Sequence, residues 1–168
     1  QDVTIDMKEL ESSIQHVAKH EAAHAHLYHL EIQPFDVYLR EGFGHATQIF
    51  TKMASDLAEE YLAEQISISE DSTKNWTDAK SVSDALTTLE NALTTQLPAI
   101  PSDVEDYHSQ LMVTTFNIFY VLWKALAFLA AELRTDDAFK AMPKEITKLD
   151  KWSDYVASNW EDYLQILG

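Results

Sequence analysis

Glycine and proline, the residues that most often form turns and break helices, are scarce in this chain. The 168 residues contain 3 Gly and 4 Pro, against average usages of roughly 7% and 5%. A β-sandwich or barrel of many short strands needs more turn residues than this. Because 46% of the residues are hydrophobic, a sizeable core is possible. We therefore predict one all-α domain over residues 1–168.

Apolar residues recur at steps of three and four, the spacing of one helix face. The pattern predicts long helices near residues 6–32, 42–66, 103–134 and 138–167, with a kink or restart of the last one at Pro143. A crossover of roughly 35 residues, with a short helix of its own, joins the second long helix to the third. Such a crossover lets those two helices run parallel, so the fold class is a ferritin-like four-helix bundle.

The third long helix is apolar on every side from Leu111 to Ala131. This length could cross a membrane. Asn117 and Lys124 interrupt the stretch and no basic flank follows it, so we favour a central helix and no membrane span. In that position Lys124 would run its apolar stem toward the surface.

The formal net charge of −16 would repel phosphate backbones and anionic lipids, which argues against nucleic acid as a partner. The absence of cysteine excludes thiolate metal sites. Two features favour an extracellular, secreted protein. The chain starts at Gln1 rather than Met, and Asn75-Trp76-Thr77 is an N-glycosylation sequon.

Five of the seven histidines lie between His16 and His29. His16, His20 and His24 repeat every four residues and form one stripe on the first helix. Imidazole pairs at this spacing can chelate a transition metal such as Zn, Cu or Fe, provided that another helix supplies further ligands. The candidates for those ligands are His45, Asp56, Glu59 and His108. The alternative is a polar, partly exposed helix face without a metal.

The segment from His20 to His24 reads HEAAH. In zinc hydrolases this pattern supplies two histidine ligands and a glutamate that activates the bound water, here Glu21. No third ligand is recognisable from the sequence, and no strand pattern accompanies the helix. A zinc-dependent hydrolase is therefore an alternative rather than the leading hypothesis.

Glu21 and Tyr28 are seven residues apart, which places them on one side of the first helix. They continue the apolar stripe formed by Leu10, Ile14 and Val17. We therefore expect both side chains to face the core. An inward carboxylate needs a partner such as a metal, a histidine or a phenol, because burying an unpaired charge is costly.

These residues resemble the ferritin family. The segment EAAHAHLY from Glu21 to Tyr28 is similar to the stretch of the first ferritin helix that carries a metal-binding Glu and an inward Tyr. The turn at Gly42-Phe43 and the segment 58–62 with Gln65 resemble the start and end of the second helix. The similarity of residue pattern covers about residues 9–66, and the later helices match in length and order only.

The chain departs from ferritins where those proteins carry E-x-x-H on the second helix, since Ala54 and Leu57 stand at these positions. The resemblance thus implies a bundle without an intact di-iron centre. Our leading hypothesis is a non-enzymatic, secreted binding or storage protein. A homo-oligomer is compatible with this role. Its predicted metal residues are His16, His20, Glu21, His24 and Tyr28.

Two further groups of side chains each allow a structural and a functional interpretation. Aromatic residues of the last two long helices favour core packing, although they could line the cavity of a carrier of an apolar ligand or lipid. They are Phe116, Phe119, Tyr120, Trp123, Phe128, Trp152 and Trp160. The acidic run Glu59, Glu60, Glu64, Glu70 and Asp71 is interpreted as a solvated face, with attraction of cations as the alternative in a shell-forming protein.

Overall fold

A computed structural model describes residues 7–30, 44–68, 79–103, 106–134 and 139–167 of the chain. These ranges are helical apart from their connections and contain no β-strand, only an isolated bridge between Arg134 and Phe139. The all-α class is confirmed. The helices are α1 (Met7–His29), α2 (His45–Ser67), α3 (Ala79–Asn91), α4 (Tyr107–Leu133), α5 (Lys144–Thr147), α6 (Asp150–Tyr155) and α7 (Trp160–Leu167).

The first three predicted long helices are confirmed as α1, α2 and α4. The short helix predicted in the crossover is confirmed as α3. α2 begins after Gly44, whose backbone is extended, and its last turn is closed by the Ile68 N–H, which donates to the Glu64 carbonyl. α3 continues into a π-helical turn, Ala92–Gln96, just before Pro98. Proline cannot extend a helix without clashing with the preceding turn, which explains why this segment stops there.

α2 packs against α1 and against α4. His16 of α1 contacts Glu64 of α2, and His24, further along α1, contacts Glu59, which comes earlier in α2. These two helices are therefore antiparallel. On the α4 side, Lys124 contacts Glu60. One turn later on α4, the Phe128 ring lies 5.4 Å from that of His20, which contacts Glu64. Residue numbers therefore rise together along the two helices, so α2 and α4 run in parallel.

The main hydrophobic core lies where α3, the C-terminal half of α4 and the C-terminal helices meet. Its least exposed large residues are Val82, Leu86, Leu89, Leu129 and Ile146. α4 is long and apolar enough to cross a membrane, the one such helix in the described ranges, but central helices of soluble proteins meet the same criterion. α4 contacts α2 and α3, but 22% of its most apolar window is buried within the described structure, so it is not enclosed on every side as a central helix would be.

The predicted restart at Pro143 is confirmed, since α5 begins at Lys144, but the prediction of one long helix over the rest of 138–167 is wrong. Residues 144–167 form α5, α6, a 3-10 turn (Ala157–Asn159) and α7. In a straight α-helix Trp152 and Trp160 would be separated by about 12 Å along the axis, whereas their ring centroids are 5.5 Å apart, edge to face. The break at Val156, where φ is −125°, lets both indoles pack in one core.

The prediction that Leu10, Ile14, Val17, Glu21 and Tyr28 face the core is also wrong. All five side chains are exposed, and Tyr28 is 76% exposed. α1 carries a second stripe at the same helical spacing, formed by His16, His20, Ala23 and Leu27. It is this second stripe that faces α2, with Ala23 and Leu27 packed against Ala63 and Leu62.

Candidate metal centre

Two helices with matching spacing build the centre. Histidines recur every four residues on α1, and Glu60 and Glu64 are four residues apart on α2. In an α-helix this step places successive side chains on one face. Because the helices are antiparallel and adjacent, the histidine face of α1 meets the glutamate face of α2.

Three donor atoms converge on one point between the helices. His20 Nε2 lies 3.1 Å from His24 Nε2 and 3.2 Å from Glu60 Oε2, and His24 Nε2 lies 3.7 Å from the same oxygen. A tetrahedral zinc ion with bonds of about 2.0 to 2.1 Å separates its ligand atoms by roughly 3.3 Å. The three atoms are therefore spaced like one face of a zinc coordination tetrahedron.

Each histidine of this triad is held by a carboxylate on its other ring nitrogen. His20 Nδ1 is 3.0 Å from Glu64 Oε2, and His24 Nδ1 is 2.9 Å from Glu59 Oε1. With the Nδ1 atoms as donors, both Nε2 lone pairs point at the shared centre. Histidine ligands of metals show this arrangement almost always, since the outer carboxylate fixes the ring and raises its basicity.

The third donor is fixed from α4. The Lys124 ammonium donates to Glu60 Oε1 at 2.6 Å, which leaves Oε2 to face the histidines. The Phe128 ring closes the same side, with its centroid 5.4 Å from that of His20 and 5.4 Å from Lys124 Nζ. All three donors of the triad thus have their orientation set by a neighbouring residue.

Glu64 is the most deeply buried acidic residue of the centre, at 1% exposure. Its Oε2 lies 3.0 Å from His20 Nδ1 and accepts a hydrogen bond from the Ser67 hydroxyl at 3.4 Å. His16 Nε2 lies 3.2 Å from Oε1, close enough for an ion pair but without hydrogen-bond geometry. Within the described residues, Oε1 is the one buried side-chain nitrogen or oxygen that lacks a hydrogen bond.

His16 lies one contact away from the triad. Desolvation lowers its pKa, and the charge of His20 acts in the same direction, whereas the carboxylate of Glu64 opposes them. His16 therefore favours its neutral form in the folded protein. Its Nε2 lies against Glu64 Oε1 rather than at the shared centre.

The centre carries an excess of negative charge. Three carboxylates, those of Glu59, Glu60 and Glu64, face one ammonium from Lys124. With neutral histidines this sums to a charge of −2. Glu59 is partly exposed to solvent, whereas the Glu64 carboxylate is buried. Burying uncompensated charge is costly, so the centre favours a divalent cation or additional protons.

The structure assembles His20 and His24 in the triad, with His16 beside it, but leaves Glu21 and Tyr28 on the exposed side of α1. The physical reason is that the other α1 face must cover the carboxylates of α2. Among the candidates for ligands from other helices, Glu59 reaches the centre. Asp56 instead pairs with Lys52 at 2.9 Å, His108 is exposed, and the His45 side chain lies outside the described residues.

Sequence reasoning missed Glu60, Glu64 and Lys124. The interpretation of the acidic run as a solvated face is wrong for Glu60 and Glu64, which point into the α1–α2 interface, while Glu70 and Asp71 lie outside the described residues. The four-residue step shared by these glutamates and the histidines was the available indication.

No protein-family model, curated protein or solved structure matches the chain.

Proposed function

We propose that this protein binds one divalent transition metal ion, with zinc favoured, through His20 Nε2, His24 Nε2 and Glu60 Oε2. The observation that carries the proposal is the convergence of these atoms within 3.7 Å of one another. In addition, the second polar atom of each donor side chain is held by a further residue. A surface cluster of histidines has no reason to have this second layer of contacts.

The donor set favours zinc over other metals. Neutral imidazole and carboxylate suit Zn and non-haem Fe(II), and soft thiolate ligands are absent because the chain has no cysteine. The same 2-His-1-carboxylate set also holds Fe(II) in facial sites, but the separations of 3.1, 3.2 and 3.7 Å lie on both sides of the roughly 3.3 Å edge of a zinc tetrahedron. Copper is the second candidate, since it binds imidazole tightly.

A binding or storage role fits this centre better than hydrolysis. Three protein ligands leave a fourth zinc position open, as in catalytic sites. The zinc hydrolase alternative needs Glu21 as the base, but this side chain is exposed and outside the triad. The proposal is therefore a non-enzymatic metal-binding protein, and secretion stays a prediction, since Asn75 lies outside the described residues.

A ferritin-like four-helix bundle also stays a prediction. The parallel arrangement of α2 and α4 across a crossover supports it. The short C-terminal helices take the place of the long fourth helix that the bundle would need. The proposed metal site does not depend on this assignment, because it is built from α1, α2 and α4 alone.

The same contacts could instead be held together by protons. His20 would then carry protons on both ring nitrogens, donating to Glu64 and Glu60, and His24 Nε2 would accept. This network needs no metal and would leave the protein without affinity for zinc. The two possibilities therefore differ in a direct titration.

The test is competition between metal-free protein and a chromophoric zinc chelator. We expect one zinc per chain, and a loss of affinity of about 100-fold or more in His24→Ala and Glu60→Gln, at or above the 10–100-fold typical of outer-shell changes. The matched control is His26→Ala, on the exposed side of the same helix, which should bind as the wild type does. Circular dichroism verifies that each variant is folded.

Two outcomes would contradict the proposal. Unchanged zinc affinity in folded His24→Ala would remove the triad as the site. Peptidase activity that is lost in Glu21→Gln while zinc stays bound would instead favour the hydrolase, because the triad leaves Glu21 without a role.

A further inference from the structure

A large cavity lies between α2, α4 and the C-terminal helices, on a different face of α2 from the metal centre. Its volume is about 680 Å³, and residues around it include Ala58, Leu62, Phe119, Trp123, Tyr155 and Trp160. It is a pocket that is partly open to solvent, with exposed residues such as Asn159 and Asp162 at its edge. The liquid volume of one water is about 30 Å³, so this space is more than an order of magnitude larger.

The cavity wall is predominantly apolar. Leucine, alanine and aromatic side chains provide most of it, and the polar residues among those lining it include Asn159 and Asp162, both exposed to solvent. The Tyr163 hydroxyl is already committed, since it donates to the Trp123 carbonyl at 3.2 Å. Water inside such a space finds few partners, whereas an apolar molecule loses little on entering it.

Charge restricts the class of molecule further. Asp162 at the cavity and the net charge of −16 disfavour a carboxylate or phosphate ligand. Pockets for small molecules commonly have volumes of about 300 to 1,000 Å³, mostly apolar walls and a few polar groups. We propose that this cavity binds a neutral, apolar small molecule, such as a long-chain alcohol or an aromatic hydrocarbon.

This site is separate from the metal centre. On α2 the metal centre uses Glu59, Glu60 and Glu64, whereas the cavity uses positions such as Ala54, Ala58 and Leu62. On α4 Lys124 belongs to the first and Trp123 to the second. Failure of zinc binding would therefore leave the ligand proposal standing, and the reverse also holds.

The direct test is a titration with N-phenyl-1-naphthylamine, a neutral apolar dye that fluoresces in dry pockets. We expect saturable binding of one dye per chain with a micromolar dissociation constant, accompanied by energy transfer from tryptophan, because Trp123 and Trp160 line the cavity. Dodecanol should displace the dye at a concentration at least about tenfold lower than dodecanoate, which has the same chain length and a negative head group.

Filling the cavity should remove the binding. Ala58→Phe places a ring inside the space and should weaken dye binding at least about tenfold. Ala54→Phe, at a more exposed position on the same wall, serves if Ala58→Phe does not fold. The matched control is Ala18→Phe, at an exposed alanine of α1, which should leave the affinity within about twofold of the wild type.

The proposal would be overturned by any of three results. The first is the absence of saturable binding up to the solubility of the dye. The second is an unchanged dye affinity in a folded cavity-filling variant, which would place the dye elsewhere. The third is displacement by dodecanoate at a concentration equal to or below that of dodecanol, which would contradict a neutral ligand.

Discussion

The α1–α2 interface and the core beneath α4 are held together by different interactions. At α1, the buried apolar residues are Ala23 and Leu27, which meet Ala63. Leu62 packs against the same cluster, and beside it histidines of α1 contact glutamates of α2. Beneath α4, α3 and the C-terminal helices form one continuous apolar cluster, whose stabilisation depends on buried area rather than on charge.

This difference predicts which conditions each region responds to. Apolar burial is insensitive to metal and changes little with pH near neutrality. The histidine–glutamate contacts of α1 change with the protonation of both groups, and the buried carboxylate gains a cationic neighbour when a metal binds. We therefore expect α1 to respond to protons and metal, while the core beneath α4 sets the global stability.

The largest expected effect comes from a matched pair of leucine truncations. Leu129 and Leu27 are both buried, at 1% and 3% exposure. Leu129→Ala should lower the free energy of unfolding by about 3 kcal/mol, within the usual 2 to 5 kcal/mol for such cavities. Leu27→Ala should lower it by less than about half as much, since α1 can detach before the core unfolds. Urea denaturation measures both, and equal losses would show that α1 and the core unfold as one unit.

Zinc should act on α1 more than on any other helix. At a free zinc concentration of 100 times the dissociation constant, binding adds about 2.7 kcal/mol to the free energy of any local or global unfolding that breaks the site. Amide hydrogen exchange in α1 should therefore slow by about 100-fold, whereas exchange in α3 should change much less. A uniform slowing across all helices would contradict the independence of α1, and His24→Ala should abolish the effect.

Glu64 gives a smaller effect with opposite signs for function and stability. Glu64→Gln keeps an acceptor for His20 but removes the charge, so zinc affinity should fall about 10- to 100-fold, as for other outer-shell carboxylates. In the presence of a chelator the same variant should be as stable as the wild type or more so, because it no longer buries a carboxylate. Chelator competition and thermal unfolding measure the two quantities. A loss of stability without a loss of affinity would indicate a purely structural role.

The fold was more predictable than the site. Three long helices, the helix in the crossover and the parallel course of α2 and α4 follow from apolar spacing and connection length. The C-terminal break did not, because Trp152 and Trp160 also fit one straight helical stripe. Only their contact across the break, a tertiary interaction, decides against that stripe.

The histidine half of the site was readable and the glutamate half was not. α1 has two stripes at helical spacing, and apolarity favours the one with Leu10, Ile14 and Val17. The other stripe faces inward because Glu60 and Glu64 on α2 need partners. That requirement depends on the register between two helices, which a pattern within one helix does not contain. Glu21 and Tyr28 were assigned to the site through the wrong stripe.

The smallest expected effect tests the core beneath α4, through the hydrogen bond that the Tyr163 hydroxyl donates to the Trp123 carbonyl. Tyr163→Phe keeps the ring and should cost about 1 kcal/mol of unfolding free energy at pH 8. Burial, and secondarily the nearby Tyr61, raise the pKa of Tyr163 above the ordinary value of 10.0. The folded state therefore holds this proton more tightly than the unfolded state does.

The sign of the alkaline response follows from this difference. The contribution of Tyr163 is fully present below pH 10 and is lost as the pH rises toward the folded-state pKa, since the unfolded phenol ionises first. Wild-type stability should thus fall more steeply between pH 9 and 11, values of about one unit either side of the free phenol pKa, than that of Tyr163→Phe. The pKa values of Tyr61 and Tyr120 are also raised by burial. The stability of Tyr163→Phe should therefore still fall with rising pH, but less steeply than that of the wild type. Parallel slopes in the two proteins would mean that Tyr163 is hydrated, and that the apolar core does not extend to α7.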